Sequence, residues 1–413
     1  MANILNVLFL ENLQGISSLI LSETHSNGRL ETLDVLFRLN SHVTLIFLVL
    51  ASCLLQVEQF CGSPIECYGG PDPAGLIKVA TGTCWTNGTF TSTKISNWEG
   101  KNEGQGLGNP NCDSENQNDC RFNINYYQWT AFVLLLQALF FYLPRWIWSL
   151  FEEGAVGSVI RSFAKIPNNR SLENKKMIKV LCEALVARKS YWNFVFYSKV
   201  VLEVYMLLNI LFQFPFLNFF FGSFAFYCEG EHSNWITFHN FGTNMVQYWL
   251  RGSWGRDGSV PINPGLVLFP RVTTCEFRMV GYGGGSQITY FMCFLLLNNI
   301  NEKIYLCFWF WIVILGTLIS VKLIVRLLKA SILTSWTKHT LRSYCRRSVS
   351  DVSDLNEVRG AKTSLILESN VPHGIVFILE ILRRNSHPSV LKEVTWTTLT
   401  LLRSKSKSRK ARD

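Results

Sequence analysis

Four long stretches of this 413-residue chain contain no Asp, Glu, Lys or Arg, and they limit the fold more than any other feature. A helix needs about 20 mostly apolar residues to cross the hydrocarbon core of a bilayer. Together with their polar flanks, all four stretches reach about that length. The uncharged stretches are 39–57, 126–143, 204–228 and 304–321. They predict transmembrane helices at residues 39–57, 126–146, 200–228 and 302–325.

Lys and Arg residues are distributed unevenly between the segments that connect these helices. Nine of them lie in residues 147–199, and residues 326–413 carry them still more densely. Residues 58–125 and 229–301 carry only four each. Because cytosolic segments of membrane proteins are enriched in Lys and Arg, the two sparse segments are predicted to be extracellular loops. The N-terminal segment 1–38, the loop 147–199 and the tail 326–413 are predicted to be cytosolic.

The composition argues against several classes of function. The formal net charge is +10, but the positive charge flanks apolar stretches and forms no basic stripe interleaved with aromatic residues, so no nucleic-acid partner is expected. An enzyme embedded in a membrane needs ionisable side chains that converge at one depth, and the predicted helices show no such set. We therefore expect no catalytic activity and no cofactor.

The twelve cysteines are divided between the two predicted sides of the membrane. An even number on the oxidising extracellular side indicates disulfide bonds. Cys112 and Cys120 lie close together in the first extracellular loop and form a candidate extra pair. No metal is expected, because the chain has no CxxC pair and His232 and His239 stand alone. The eight predicted extracellular cysteines are Cys61, Cys67, Cys84, Cys112, Cys120, Cys228, Cys275 and Cys293.

Several short motifs are specific enough to indicate a family. The most distinctive is Tyr126-Tyr127-Gln128-Trp129 at the start of the second predicted helix, followed by Pro144 near its other end. Further motifs lie in both loops and at the start of the fourth helix: Gly62-Ser63-Pro64-Ile65-Glu66-Cys67, Cys84-Trp85, Phe269-Pro270-Arg271-Val272-Thr273-Thr274-Cys275 and Asn301-Glu302-Lys303-Ile304. In these motifs and their order, the chain resembles the innexins, the invertebrate gap-junction family related to the pannexins.

The resemblance implies an assembly and a disulfide pattern. Innexin subunits surround a pore as a hexamer or octamer in membrane lipid, and the loops of one ring dock onto a ring in the apposed cell. Cys67, Cys84, Cys275 and Cys293 allow three pairings on sequence alone. The resemblance implies Cys67 with Cys293 and Cys84 with Cys275.

The resemblance also implies a function in the plasma membrane. The chain is expected to be a subunit of a large-pore gap-junction channel that passes ions and small molecules between adjacent cells. The alternative is an undocked hemichannel that releases ions and metabolites from a single cell.

The chain departs from the innexin pattern at two places. The family signature usually continues with Val-Pro, whereas this chain has Thr130-Ala131, so we expect a proline kink to be absent there. The first loop is enlarged by a polar stretch at residues 86–125. Within it, Asn87-Gly88-Thr89 is a glycosylation acceptor, and a glycan on Asn87 is expected to hinder the docking of two rings.

Three further features of the sequence lead to predictions. Asn209 and Gln213 either face a wet pore or bond a neighbouring helix, and single amides in membrane helices more often bond a neighbour. The aromatic clusters 219–221 and 308–311 are expected to face lipid or the membrane interface. Residues 288–300 are apolar but few, and they are interpreted as a buried or interfacial extracellular segment.

Together these features predict an all-α membrane protein. It is a four-transmembrane-helix channel subunit whose disulfide-linked extracellular loops have a small β content. Apolar stretches at residues 374–382 and 390–402 are expected to add helices to a cytosolic domain.

Overall fold

The computed structural model describes residues 32–69, 74–92, 121–167, 172–221, 237–251, 263–280, 284–331 and 371–410. Most of the predicted N-terminal segment lies outside these residues. Cys112, Cys120 and Cys228 also lie outside them, and the pairing of Cys112 with Cys120 stays a prediction.

Helices and strands are numbered in chain order over the described residues. The helices are α1 (Val35–Cys61), α2 (Ala74–Asn87), α3 (Thr130–Glu153), α4 (Ala155–Ala164), α5 (Leu172–Ala187), α6 (Lys189–Phe221), α7 (Phe241–Arg251), α8 (Pro264–Leu268), α9 (Leu296–Ser331), α10 (His373–Asn385) and α11 (Pro388–Lys410). The strands are β1 (Glu66–Tyr68), β2 (Thr89–Ser92), β3 (Arg121–Ile124), β4 (Val272–Val280) and β5 (Ser286–Phe294).

Within the described residues, α1, α3, α6 and α9 are long and apolar enough to cross a membrane. Each overlaps one predicted transmembrane helix. α6 begins at Lys189 and α9 at Leu296, well before the predicted starts at residues 200 and 302. The difference arises because a helix continues through polar residues beyond the bilayer, whereas apolar composition marks only the part inside it.

One compact unit, called the sheet unit, comprises the described residues of Thr44–Phe140 and Leu208–Gly316. Its described strands form one antiparallel sheet in the order β1-β5-β4-β2-β3. β1, β2 and β3 come from the first predicted loop, and β4 and β5 come from the second. The sheet therefore joins the two loops into one structure.

Residues 288–300, predicted to be a buried or interfacial extracellular segment, are divided between a strand and a helix. Their first half completes β5 and their second half begins α9. Within β5, Phe291 and Cys293 are buried while Tyr290 and Met292 are more exposed, which is the alternation of a strand with one covered face. The composition of a short apolar stretch does not distinguish a strand from a helix.

A second unit, called the tail unit, comprises the described residues of Met1–Val43, Phe141–Leu207 and Thr317–Asp413. Within it, α11 packs along α5 and α10 packs against α4. The contacts bury apolar side chains that include Ile160, Phe163, Leu185, Ile378, Leu379, Val394 and Leu399. α10 and α11 contain the apolar stretches from which tail helices were predicted. With four apolar helices, a small sheet and a helical tail, the predicted fold class is confirmed.

The α5–α11 contact also encloses a cysteine. Cys182 is fully buried, and its Sγ lies 3.7 Å from the carbonyl oxygen of Val394, to which the thiol donates. Burial raises the pKa of the Cys182 thiol to about 11. The thiol is therefore protonated at neutral pH and serves as a small apolar group in this core.

Candidate functional site

Two disulfides tie the loops of the sheet unit together among the described residues. Cys67 in β1 is bonded to Cys293 in β5, directly opposite it in the sheet register. Cys84 in α2 is bonded to Cys275 in β4. The Sγ atoms of Cys67, Cys84 and Cys293 all lie within 4.8 Å of one another, but sulfurs in disulfides are not the thiolates that bind a metal. These are the two pairs that the resemblance implies.

Tyr126, the first residue of the signature motif, joins α3 to the second loop. Its hydroxyl donates to the carbonyl oxygen of Leu268 at 2.7 Å. The same hydroxyl accepts a hydrogen bond from the side-chain amide of Asn298 at 3.3 Å, and that amide also donates to the carbonyl oxygen of Pro270 at 2.9 Å. Tyr126 is 6% exposed. One side chain thus connects α3, α8 and the start of α9.

The next two residues of the motif join α3 to the first loop. The hydroxyl of Tyr127 donates to the carbonyl oxygen of Cys84 at 3.3 Å, and the side-chain amide of Gln128 donates to the carbonyl oxygen of Trp85. Tyr127 is fully buried, whereas Trp129 is 60% exposed. The first three residues of the motif therefore position the loops, and each loop receives its own hydrogen bonds.

A buried carboxylate at the start of α9 holds the second loop in place. Glu302 is 1% exposed, and its two carboxylate oxygens accept from Arg271 at 2.8 Å and from Lys303 at 2.7 Å. Gly265 abuts this carboxylate so closely that a Cβ there would lie 2.8 Å from its carbon atom. The Phe-Pro-Arg and Asn-Glu-Lys motifs of the sequence are therefore partners in one ion pair.

Asn87 lies at the C-terminal end of α2, and its side chain is exposed. It lines a cleft of about 500 Å³ together with Asn123, Asn125 and Arg278. The next residue, Gly88, has a φ of 85° and turns the chain into β2, a conformation that favours glycine. The exposed amide is accessible for a glycan, and its glycosylation stays a prediction.

The replacement of Val-Pro by Thr130-Ala131 has a smaller effect than expected. α3 begins at Thr130, so Ala131 is its second residue. N–H groups in the first turn have no partner within a helix, and a proline there removes no helical hydrogen bond and causes no kink. A proline at position 131 is therefore not expected to kink α3, and the absence of a kink at this position stays a prediction. Pro144, by contrast, lies inside α3, where its missing N–H does leave a carbonyl without its helical partner.

The amides inside the membrane-spanning helices bond one another. The side chain of Gln137 in α3 donates to Gln213 in α6 at 2.9 Å, and Gln213 donates to Asn209 at 3.2 Å. All three are at most 6% exposed. The interpretation that Asn209 and Gln213 bond within the helix bundle is confirmed, and the alternative that they face a pore is wrong.

The aromatic clusters at 219–221 and 308–311 do not simply face lipid. Phe219 is 86% exposed, but Phe221, Phe308 and Trp309 are buried. The expectation is wrong for these three residues, because the second loop folds back over part of the clusters. The ring of Phe238, from that loop, lies 6.0 Å from the ring of Phe221.

Six charged side chains converge in the tail unit, where α1 begins and α9 approaches its end. Lys322 donates to Asp34 at 2.8 Å and to Glu203 at 2.9 Å. Arg384 of α10 pairs with Asp34 at 2.8 Å, and Arg326 pairs with Glu203. The six residues, called the charge cluster, are Asp34, Lys199, Glu203, Lys322, Arg326 and Arg384.

Lys199 is the most enclosed cation of the charge cluster. Its ammonium lies 3.5 Å from the ring centroid of Phe37 and 4.3 Å from that of Trp148. It is 1% exposed, and its Nζ has no hydrogen-bond partner within the part of the chain that the structure describes. Attraction to the two aromatic faces compensates part of the cost of burying this charge.

Asp34 remains ionised in the charge cluster. Burial alone would raise the pKa of Asp34, but the charge of Lys322 and its hydrogen bond outweigh burial and hold the pKa below its ordinary value of 3.8. A carboxylate whose pKa is lowered on folding stabilises the folded state. This stabilisation is fully present above the ordinary pKa of 3.8 and is lost as the pH falls towards the lowered pKa. The Asp34 ion pairs therefore persist at physiological pH.

The expectation that no ionisable groups converge in the spanning helices is wrong. Glu203 lies inside α6 and is fully buried. The signal was present in the sequence, because a lone carboxylate in a predicted membrane helix requires a partner. Its partners, Lys322 and Arg326, lie far away in the sequence. The ion pairs with them balance the charge of Glu203 and give this carboxylate a structural role.

Most of the chain, including these motifs, matches the model of a known protein family. The model of the innexin family matches residues 34–400. This chain belongs to the innexin family. The matched region includes the whole charge cluster, both disulfides and the signature motif.

Other innexins align along most of this innexin. The innexin inx2 of Drosophila melanogaster is 28% identical over 361 residues, which cover 87% of this chain and 88% of the relative. The innexin shaking-B of the same organism is 30% identical over 305 residues, covering 72% and 74%. The innexin inx2 of Schistocerca americana is 28% identical over 362 residues, covering 87% and 90%.

Membership determines the general role of this innexin. Innexins are oligomeric gap-junction channel subunits of the plasma membrane, and they are channels rather than enzymes. This innexin is accordingly a multi-pass plasma-membrane protein and a channel subunit.

Replacing Tyr126 by phenylalanine is expected to lower the free energy of unfolding of this innexin by about 1–3 kcal/mol. The substitution leaves a buried carbonyl and a buried amide each without one partner. Thermal unfolding of the purified protein measures the effect. Tyr142→Phe, in the helix that follows Tyr126, is the matched control, because Tyr142 is 38% exposed and its hydroxyl has no described bond to replace. Equal unfolding temperatures for both variants would contradict the role given to Tyr126.

Replacing Glu203 by glutamine is expected to destabilise the tail unit by about 1–3 kcal/mol. The change leaves the partly buried Arg326 without its carboxylate and Lys322 with Asp34 alone, and an uncompensated charge that is largely shielded from water is costly. Thermal unfolding of the purified protein measures the loss of stability. The rate at which a protease cleaves the tail unit provides a second measure. Glu183→Gln serves as control, because Glu183 is exposed on α5. If Glu203→Gln were as stable as the control, Glu203 would not be the carboxylate that holds the cluster.

Proposed function

We propose that this innexin forms a ring of six or eight like subunits, and that two rings in adjacent cells dock into a channel. The channel passes ions and small molecules between the cells. The observation that carries the proposal is the single sheet built from both loops and cross-linked by two disulfides. Docking requires a surface of fixed shape, and closing long loops by disulfides typically stabilises by about 2–4 kcal/mol each. Cyclic symmetry lets such a ring close on itself.

The orientation of the subunit follows from charge and redox chemistry. The sheet and the two loops that form it are assigned to the outside of the cell, because disulfides persist in an oxidising environment and these loops carry few Lys and Arg residues. The loop 147–199 and the tail 326–413 are assigned to the cytosol. No ring of like charge is evident along the described helices, which supports a wide pore with weak selectivity.

An undocked hemichannel is the second candidate, and the exposure of Asn87 favours it. The side chain of Asn87 is accessible beside β2, close to the edge of the sheet that β3 forms. A glycan on Asn87 would cover part of the surface that meets the apposed ring. The two candidates therefore differ in whether Asn87 carries a glycan and whether that glycan prevents docking.

Dye transfer between paired cells that express this innexin tests the proposal. Dye is expected to pass between the cells, and Asn87→Gln is expected to increase transfer because it removes the glycan acceptor. Asn123→Gln is the matched control, since Asn123 is exposed on the same cleft and is not part of an acceptor sequence.

The outcomes separate the two candidates. Transfer that rises with Asn87→Gln and not with Asn123→Gln supports docking limited by a glycan. No transfer with any variant, together with membrane currents in single cells, removes the junction and leaves the undocked hemichannel.

A further inference from the structure

Helix α7, in the second loop, carries an apolar surface that the proposed function does not use. Its residues 241–250 contain no charged side chain. Phe241 and Met245 are buried, whereas Trp249 is 55% exposed and Leu250 is 82% exposed. Trp249 follows Met245 at helical spacing, but at the last turn the helix has left the core of the sheet unit. α7 thus begins inside that core and carries two large apolar side chains outside it, just before its last residue, Arg251.

The start of α7 is attached to the apolar part of α9. The indole N–H of Trp309 donates to the carbonyl oxygen of His239 at 3.2 Å. Gly242 lies so close to the same indole that a Cβ would be 2.1 Å from a ring carbon. Trp309 is seven residues beyond Glu302, about 10 Å along a helix. Since Glu302 and its ion pairs mark the charged end of the span, α7 begins beside the membrane-embedded part of α9.

α6 holds the same segment at a similar depth. The ring of Phe214 lies 5.4 Å from the ring of His239 and 6.3 Å from that of Phe238. The backbone N–H of His239 donates to the side chain of Asn218 at 3.2 Å. Phe214 and Asn218 belong to the last two turns of α6, which ends at Phe221. Two spanning helices therefore place the start of α7 where lipid headgroups meet acyl chains.

We propose that α7 is an interfacial helix that inserts Trp249 and Leu250 between phospholipid acyl chains, just below the headgroups on the side of the sheet unit. Interfacial helices bury an apolar face about 5–10 Å into this region, and Trp and Tyr are enriched there. The exposed residues of α7 are Thr243 and Gln247 in its first turns and Trp249 and Leu250 near its end, so its exposed apolar side chains are concentrated at that end. Ten uncharged residues that end in Trp and Leu are suited to lipid and poorly suited to water.

Lipid contact by α7 has a consequence for the loops. α7 packs against α8, whose Leu268 carbonyl is bonded to Tyr126. Through these contacts the bilayer surface would help to set the position of the second loop within the sheet unit.

Tryptophan quenching by brominated phospholipids tests the proposal. The full-length protein is reconstituted in phosphatidylcholine that carries bromine either near the headgroup end or near the methyl end of the acyl chain. The emission of wild type minus that of Trp249→Phe isolates the signal of Trp249. This signal is expected to lose more intensity with bromine near the headgroup end than near the methyl end, and to lose little with aqueous iodide.

Two further variants control the measurement. Trp146→Phe removes a tryptophan that is 52% exposed at the end of the predicted span 126–146 and shows how a residue at the membrane interface responds. Leu250→Trp adds a signal at an exposed position and is expected to show the same quenching pattern as Trp249. Quenching by iodide with no effect of brominated lipid would overturn the proposal and place α7 in water. Quenching by neither would also overturn it, because a second copy of the chain would then cover the helix.

Discussion

Bilayer hydrocarbon offers no hydrogen bonds to a polar group, and this constraint explains where the polar side chains of the four long helices lie. Within the spans, Gln137, Gln213 and Asn209 form a chain of hydrogen bonds across α3 and α6. At one end of α9, Glu302 pairs with Arg271 and Lys303. These polar groups thus find partners within the protein, which lowers the cost of placing them inside or at the rim of the bilayer.

The same constraint gives the charge cluster its role in the tail unit. Asp34 precedes α1, Glu203 lies in α6, Lys322 lies in α9 and Arg384 lies in α10. Their mutual ion pairs fasten the start of the first spanning helix to the tail helix α10. A change in the position of α10 would therefore act on the beginning of α1 through Asp34.

The sequence predicted the parts of the fold that depend on local composition. Spans appeared as uncharged stretches, and the tail helices as short apolar stretches. The charge cluster could not be assembled this way, because Asp34, Glu203 and Lys322 are separated by more than a hundred residues from one another along the chain. The sheet was missed as a joint structure for a similar reason: Cys67 and Cys293 are 226 residues apart. Only the family resemblance selected their pairing from the three that chemistry allows.

The central claim is that the cross-linked sheet lets rings of this innexin dock between cells, and junctional conductance tests it most directly. Both cells of a pair, chosen to lack other innexins, are voltage-clamped while either one or both express the chain. Docking predicts a conductance between the cells when both express it and none when only one does. Membrane currents in single cells without any junctional conductance between two expressing cells would contradict the claim.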